Sequence, residues 1–513
     1  MKRSKGMRIR LPAIFSDGMM LQGKRPVKVW GTAAPGAEVQ ADIQGRAVKV
    51  RAGEDGHFSL TLPPLSYGEG EMLTISCEGE EVTIHDVAVG EVFLAGGQSN
   101  MEFWLRYEAH FDEEKTLPRD SSLRFFDVPE ISYDRQEEDF DFSSTGIWRK
   151  AGPGDRDWFS AVGYYFQKAL SAELDCPVGI VGCNFGGTTA SAWMPKGSVE
   201  EVGQAWMEDY YAALRKIEGH GIAVERYWEL ERTNAGNDKG NPFTNDFCNT
   251  FLKHTPDAEE IAAYEARQAA AGGENPLFSI LLPEAVPGIL YEHMLKTVAP
   301  YTIRAFLYYQ GESDDPHADL YAVMLSRLIE DWRALWGEDL PFLQVQLAPF
   351  SYWMQIYEMN WGELRMAQGA VSSGEKNVYI TSIADCGDED DIHPKDKKTV
   401  GERLALLALG RVYGRRALCE PPRAISADRD GREVRIRFEN GDGLHLTGKE
   451  VDGLCICPEV PYTAETEGDC LLLHLSKDVG RLRLRFGWDG YFCANVKNAV
   501  GIPPLAFSLV TTS

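Results

Sequence analysis

The chain has 513 residues, 44% hydrophobic and 25% charged, the balance of a globular protein long enough for about two to four domains. A formal net charge of −26 argues against nucleic acid and anionic membrane as partners, and favours neutral or cationic small molecules or uncharged polymers. The ten cysteines are scattered and read as free thiols; the close pair Cys455 and Cys457 has no second pair or histidine cluster to make a zinc site.

The opening MKRSKGMRIRLPAIFSDG is basic but holds no unbroken apolar stretch of signal-peptide length, and no later segment is long enough to span a membrane. A cytoplasmic protein is the expectation. Residues 8 to about 90 are short alternating runs punctuated by turn signals: VKVWGTAAPGAEVQADI, AVKVRAGEDGHFSLTL and MLTISCEGEEVTI each read strand–turn–strand. From Val87 buried strands alternate with helical patterns. EVFLAGG is followed by the helix-like FSAVGYYFQKALSAEL and the strand VGIVGCNFGG, which is the signature of a parallel sheet with helical crossovers. Residues 200 to about 285 are helical and polar-faced, an insertion or a covering layer. The alternation resumes with IRAFLYYQGE, LSRLIEDWRALWG, PFLQVQLAPF and VYITSIADCG. A helix follows from PKDKKTVGERLALLALGRVYG, with Pro394 in its first turn and Val400, Leu404 and Leu407 on one face. From about 420 the texture is β again.

Acyl transfer by serine needs a base, a carboxylate that orients it, and donors for the oxyanion. Ser99, in LAGGQSNMEF, follows a buried run that stops at paired glycines, on the carboxyl edge where open α/β sheets bind ligands. The spelling is not the nucleophile elbow G-x-S-x-G, because Met101 stands where the second glycine would be, so partners must come from other segments. Among the histidines, His57, His85, His445 and His474 lie in the flanking β texture, and His220 and His254 in the polar insertion. All six read as surface or structural groups. His393 follows the acid-rich DCGDEDDI just past the last strand of the sheet, with Asp390 and Asp391 beside it to hold its tautomer. The same stretch also reads as a solvated acidic loop whose histidine caps a helix. A hard-cation site built from Asp385, Asp388, Asp390, Asp391 and His393 is a further reading, but the spacing matches no EF-hand and no second histidine is near, so no metal is expected. Two other strand ends offer oxyanion donors: the backbone at the paired glycines of GCNFGGTTASAW, and the side chain of Gln310 in LYYQGESDD.

At these residues the chain resembles the SGNH-hydrolase superfamily and, within it, the sialate O-acetylesterase family of carbohydrate esterases. GQSNMEF, NFGGTTASAWMP, YYQGESD and DIHPKDKKTVGERLAL match that family's four blocks, with a glutamine in the third where the superfamily usually has asparagine. MLQGKRPVKVWGTAAPG and GYFCANVKNAVGIPPLAF read like its flanking β regions, so the likeness covers nearly the whole chain. It implies a three-layer, flavodoxin-like α/β domain with a parallel sheet over 91–415, carrying the helical insertion at about 200–285. An N-terminal β-sandwich-like domain, 1–90, and a C-terminal β-rich domain, 416–513, would flank it. Carried over, Ser99 is the nucleophile and His393 the base. The backbone N–H groups of Ser99 and Gly187 and the side chain of Gln310 form the oxyanion hole. The triad carboxylate is Asp391, two before the histidine as in bacterial members, rather than Asp390, three before it as in many SGNH enzymes. The implied reaction removes O-acetyl groups from sugars without a cofactor. Acetylated plant oligosaccharides (xylan, mannan or xyloglucan fragments) stand beside sialic acid as substrates, and an inactive carbohydrate-binding protein is the alternative from another class.

Overall fold

The structure is a computed structural model, and it describes residues 9–136, 142–232, 248–254, 256–272, 280–353, 356–357, 359–488 and 490–512. The first eight residues of the N-terminal region, and 233–247 and 273–279 of the expected insertion, lie outside the described residues.

The turn-rich N-terminal alternation forms antiparallel strands: Val27–Thr32 pairs with His57–Leu62, and Glu38–Ile43 lies between Arg46–Arg51 and Gly68–Cys77. Inward and outward side chains alternate along them, as a half-buried pleat requires. The next strand, β1 (Glu80–Gly97), runs through both parts of the molecule. Its first half pairs antiparallel with Gly68–Cys77, while its second half is wholly buried between parallel neighbours. The change of texture at Val87 therefore falls inside one unbroken strand.

Around β1 lie β2 (Asp120–Asp127), β3 (Trp148–Ala151), β4 (Val178–Asn184), β5 (Ala305–Tyr309), β6 (Phe342–Val345) and β7 (Val378–Thr381), in the spatial order β7-β6-β5-β1-β4-β2-β3. Neighbours along this path are parallel except β2 and β3, which are antiparallel. The sheet is thus mixed, where the sequence reading expected a parallel one. β3 lies on the outer side of β2 and runs against it, and that one antiparallel pair makes the sheet mixed.

Among the described residues, helices pack against the sheet. In α1 (Ala161–Leu174) the Ser160 side chain accepts from Gly163 N, and Phe166 meets Phe93 of β1 edge-on at 4.8 Å. α2 (Tyr321–Trp336) ends at Gly337 with a left-handed φ of 70°, and its Trp332 ring lies so close to β1 that a Cβ on Gly96 would stand 2.5 Å from it. α3 (Trp361–Gly374) packs beside α2. α4 (Lys397–Arg411) buries Val400, Leu404 and Leu407 as expected, but it starts later than the sequence suggested. Asp396 caps it by accepting from Thr399 N, so Pro394 lies ahead of the first turn rather than in it. Beyond α4 the chain forms a four-stranded sheet, a three-stranded sheet and a further strand pair, with an apolar core that includes Val434, Ile436, Leu473, Leu484 and Phe486. The whole is a mixed α/β molecule with β-rich regions at both ends. No helix among the described residues is long and apolar enough to cross a membrane.

Candidate active site

The register of the sheet lines up the segments that carry the candidate residues. Gly97 of β1 is level with Asn184 of β4 on one side and Tyr309 of β5 on the other, and Tyr308 is level with Gln344 and Ile380 in β6 and β7. The turns holding Ser99, Gly187 and Gln310 leave adjacent strands at one height, and the His393 loop leaves β7 on the same carboxyl edge. Gly97 is held at φ 142°, and a Cβ there would stand 2.1 Å from Tyr309 O. Only glycine lets the chain turn so tightly into Gln98 and Ser99.

Ser99 is half-buried, and its Oγ lies 2.9 Å from Nε2 of His393. The imidazole is buried between two rings: Phe103 stacks beside it at 6.3 Å and Trp353 meets it edge-on at 5.0 Å. Asp391 accepts from the His393 backbone N at 2.8 Å, its Oδ1 lies 3.7 Å from Nδ1, and its Oδ2 lies 2.7 Å from the Lys395 ammonium. The 3.7 Å separation is ion-pair range and longer than a hydrogen bond. Asp390 is exposed, and its backbone N donates to Asp388 Oδ1. Burial pushes the His393 imidazole down to about 4, against the upward pull of Asp391. Burial pushes the Asp391 carboxyl up, but His393 and Lys395 outweigh it and hold the group below its usual range.

The second glycine turn reaches the serine directly. Gly186 N donates to Glu102 Oε2 at 2.7 Å, and a Cβ on Gly186 would stand 3.4 Å from Ser99 Cβ. Gly187 is exposed at φ 73°, and among the described residues no acceptor takes up its N–H or that of Ser99. Gln310 is placed differently. It is fully buried, and its Nε2 donates toward Gln98 Oε1 at 3.2 Å, Thr188 O at 3.2 Å and Asp314 Oδ2 at 2.5 Å. Its Oε1 accepts from the hydroxyls of Tyr308 and Tyr321. Two amide hydrogens facing three acceptors leave no donor for an oxyanion, so in this conformation Gln310 ties the loops together beneath the site. The oxyanion role expected from its block would need this side chain to exchange one of those acceptors.

Several residues of the site were not singled out from the sequence. Asn100, Glu312 and Lys397 form a buried hydrogen-bonded group under Ser99. Trp353 comes from a two-stranded hairpin, Tyr352–Trp353 with Ile356–Tyr357, and is backed at 5.9 Å by Phe251 from within the expected insertion. Adjacency to Ser99 and His393 was a usable signal for Asn100 and Lys397. Nothing local marked Trp353, whose neighbours are brought in by the fold.

Two carboxylates of the acidic turn are engaged by cationic side chains. Asp385 pairs with Arg403 at 2.6 Å and Lys497 at 2.7 Å, and Asp391 pairs with Lys395. Among the described residues Glu108, His110 and Asp396 do bring one ligand atom each within 4.8 Å of the others. Their lone pairs are already engaged: Glu108 accepts from the His110 backbone and Tyr165 and meets His110 Nδ1, while Asp396 caps α4. That donor set suits hydrogen bonding within the fold better than metal.

Residues 269–409 match the family described as carbohydrate esterase, sialic acid-specific acetylesterase. The matched span contains Gln310, Asp391 and His393 but not Ser99. The chain is 26% identical to mouse (Mus musculus) sialate O-acetylesterase, over 97% of this chain and 93% of that protein. It is 24% identical to human (Homo sapiens) sialate O-acetylesterase, over 81% of this chain and 73% of that one. Among solved structures it is similar to a carbohydrate acetylesterase from Xanthomonas citri, with a TM-score of 0.73 and 26% identity, covering 98% of this chain and 99% of that one.

Proposed function

We propose, from the premise that the chain is a carbohydrate esterase of the kind that includes the sialate O-acetylesterases, that it deacetylates sugars through an acetyl–Ser99 intermediate. The observation that carries this reading is the 2.9 Å approach of Ser99 Oγ to His393 Nε2 at the carboxyl edge of the sheet. Ser99 Oγ attacks the acetyl carbonyl carbon while Nε2 takes its proton. The imidazolium then returns that proton to the sugar oxygen as the C–O bond breaks, leaving the acetyl group on Ser99. Water, deprotonated by the same nitrogen, attacks the acetyl-enzyme and releases acetate. Asp391 faces Nδ1 and favours the tautomer in which Nε2 is the acceptor. The open N–H groups of Ser99 and Gly187 would receive the oxyanion. This division of labour suits an SGNH-type three-layer arrangement of helices about the sheet.

The net charge of −26 favours neutral acetylated oligosaccharides at least as much as sialate esters, whose carboxylate would need a local cation. A small sugar or short oligosaccharide fits best, because Trp353, backed by Phe251, and the turn bearing Ser99 and Phe103 crowd the catalytic histidine. The test is acetate release from O-acetylated sialic acid, from acetylated xylan or mannan oligosaccharides, and from the parent polymers, by the wild type and Ser99→Ala. Release by the wild type should fall by about 10⁴–10⁶ in the variant, since a triad acts as a unit. A Ser99→Ala protein keeping about a tenth of the turnover would remove the serine mechanism, and faster release from polymer than from its fragments would remove the small substrate.

A further inference from the structure

We infer that Lys397, Asn100 and Glu312 act as one positioning unit, in which the Asn100 amide locks the turn bearing Ser99 to the loop bearing His393. The inference rests on the serine-esterase reading above and names residues that reading does not use.

Asn100 follows the nucleophile and is buried. Its Nδ2 donates to Glu312 Oε1 at 2.5 Å and to Ile392 O at 3.0 Å, and its Oδ1 accepts from Lys397 Nζ at 2.5 Å. One amide therefore touches the third-block loop, the residue immediately before His393, and the first residue of α4. Rotating that amide by half a turn would set its NH₂ against the Lys397 nitrogen and its oxygen against the Glu312 carboxyl, so its two neighbours fix its orientation.

Among the described residues neither end has another strong partner. Lys397 is fully buried, and among the described residues no carboxylate lies within ion-pair distance of its Nζ; it otherwise meets the faces of Phe103 at 4.8 Å and Tyr309 at 5.6 Å. Phe103 is the same ring that stacks on His393. Glu312 is buried, and among the described residues its Oε2 has no hydrogen-bond partner. Burial pushes the Lys397 ammonium down to about 7 and the Glu312 carboxyl up to about 7, and what the two groups gain from each other passes through one neutral amide. Packing alone would be served more cheaply by apolar groups. The arrangement is explained by what Asn100 fixes: the position of Ser99 on one side and of the His393 backbone on the other. Misplacing reacting groups by about 1 Å costs on the order of 10² in rate, and that is the scale at which this unit acts.

The experiment measures kcat, KM and thermal stability on an activated acetyl ester, together with the rate at which an organophosphonate modifies Ser99. The proteins are the full chain with Asn100→Ala, Lys397→Met, both together, Glu312→Gln and Glu312→Leu, and Ser99→Ala as control. Asn100→Ala and Lys397→Met should each lower kcat and the modification rate by ~10²-fold, with KM within about threefold. The double variant should be no slower than the slower single, because the residues act together. Glu312→Gln, which keeps an oxygen acceptor for Asn100, should retain much more turnover than Glu312→Leu. Near wild-type kcat in Asn100→Ala, with Ser99→Ala inactive, would overturn this inference and leave the esterase reading intact. Multiplying losses in the double variant, or equal turnover in Glu312→Gln and Glu312→Leu, would also overturn it, and the Glu312 pair decides the matter if the Asn100 variants do not fold. An active Ser99→Ala protein would instead overturn the esterase reading itself.

Discussion

A histidine that must take a proton from a serine works only while it is neutral, and the His393 environment keeps it neutral far into acid. Burial lowers the imidazole to about 4 from its usual 6.5, although Asp391 pulls the other way. The acid limb of kcat/KM should therefore have its midpoint near 4, and a pH–rate profile on an activated acetyl ester checks it; a midpoint near 6.5 would mean that the ring is solvated in the working enzyme. Linkage has the same sign. The folded value lies below the unfolded one, so the stability this group contributes is present above 6.5 and is lost as pH falls toward 4. The neighbouring carboxylates separate by substitution. Asp391→Asn should lower turnover by as much as about 10⁴, the scale set by losing the orienting carboxylate of a triad, while Asp390→Asn should change it little because Asp390 is exposed. Turnover measured on both variants with one ester decides, and the reverse order would transfer the role to Asp390.

At the scale of elements, the strands and glycines were legible in the sequence because each signal is local. Buried runs leading into Gly96–Gly97 and Gly186–Gly187 show that a chain must turn there, and the structure supplies the reasons: the Trp332 ring and Tyr309 O at the first pair, and Ser99 beside Gly186 at the second. The triad candidates were legible for the same reason: Ser99 and His393 follow strand ends, and strand ends meet on one edge of the sheet. What was not legible depends on contacts across the chain. Asn100 and Glu312 are 212 positions apart, and the Gln310 amide meets acceptors from three segments, none of which its own block marks. The antiparallel β3 escaped because pairing direction leaves no mark on residue alternation. Helix contact gives a direct prediction. In α4 a Cβ on Gly401 would stand 2.6 Å from Val162 O of α1, a backbone atom that cannot move aside alone. Gly401→Ala should cost about 1–3 kcal/mol of stability, despite the better helix propensity of alanine, as read by urea denaturation. An unchanged or raised midpoint would mean that α1 and α4 separate freely.

For the whole molecule, the C-terminal β region meets the α/β part through the segments that hold His393. Ala494 N donates to Ala384 O at 3.0 Å, and Lys497 pairs with Asp385 at 2.7 Å, six residues before Asp391. Burial pushes the Asp385 carboxyl up, but Arg403 and Lys497 reverse it and hold the group at about 2. Arg365 of α3 donates to Gly487 O, Ala506 N donates to Gln346 just past β6, and Gly362 packs so closely that a Cβ would stand 2.2 Å from Trp488 O. These contacts bury backbone and charge together, and a chain ending at Arg415 would leave Arg365, Asp385 and the apolar face around Trp361 without them. Such a chain should fail to accumulate in soluble form, or should lose its esterase activity while what remains folded binds a hydrophobic dye. The graded version is Gly362→Ala, which forces α3 away from Trp488 and should lower the melting temperature of the full chain while leaving the number of phosphonate-reactive Ser99 sites unchanged. A truncated chain that is soluble and turns over acetyl ester at the wild-type rate would show that the C-terminal region is an appendage. The His393 loop would then be held by α4 and Asp391 alone.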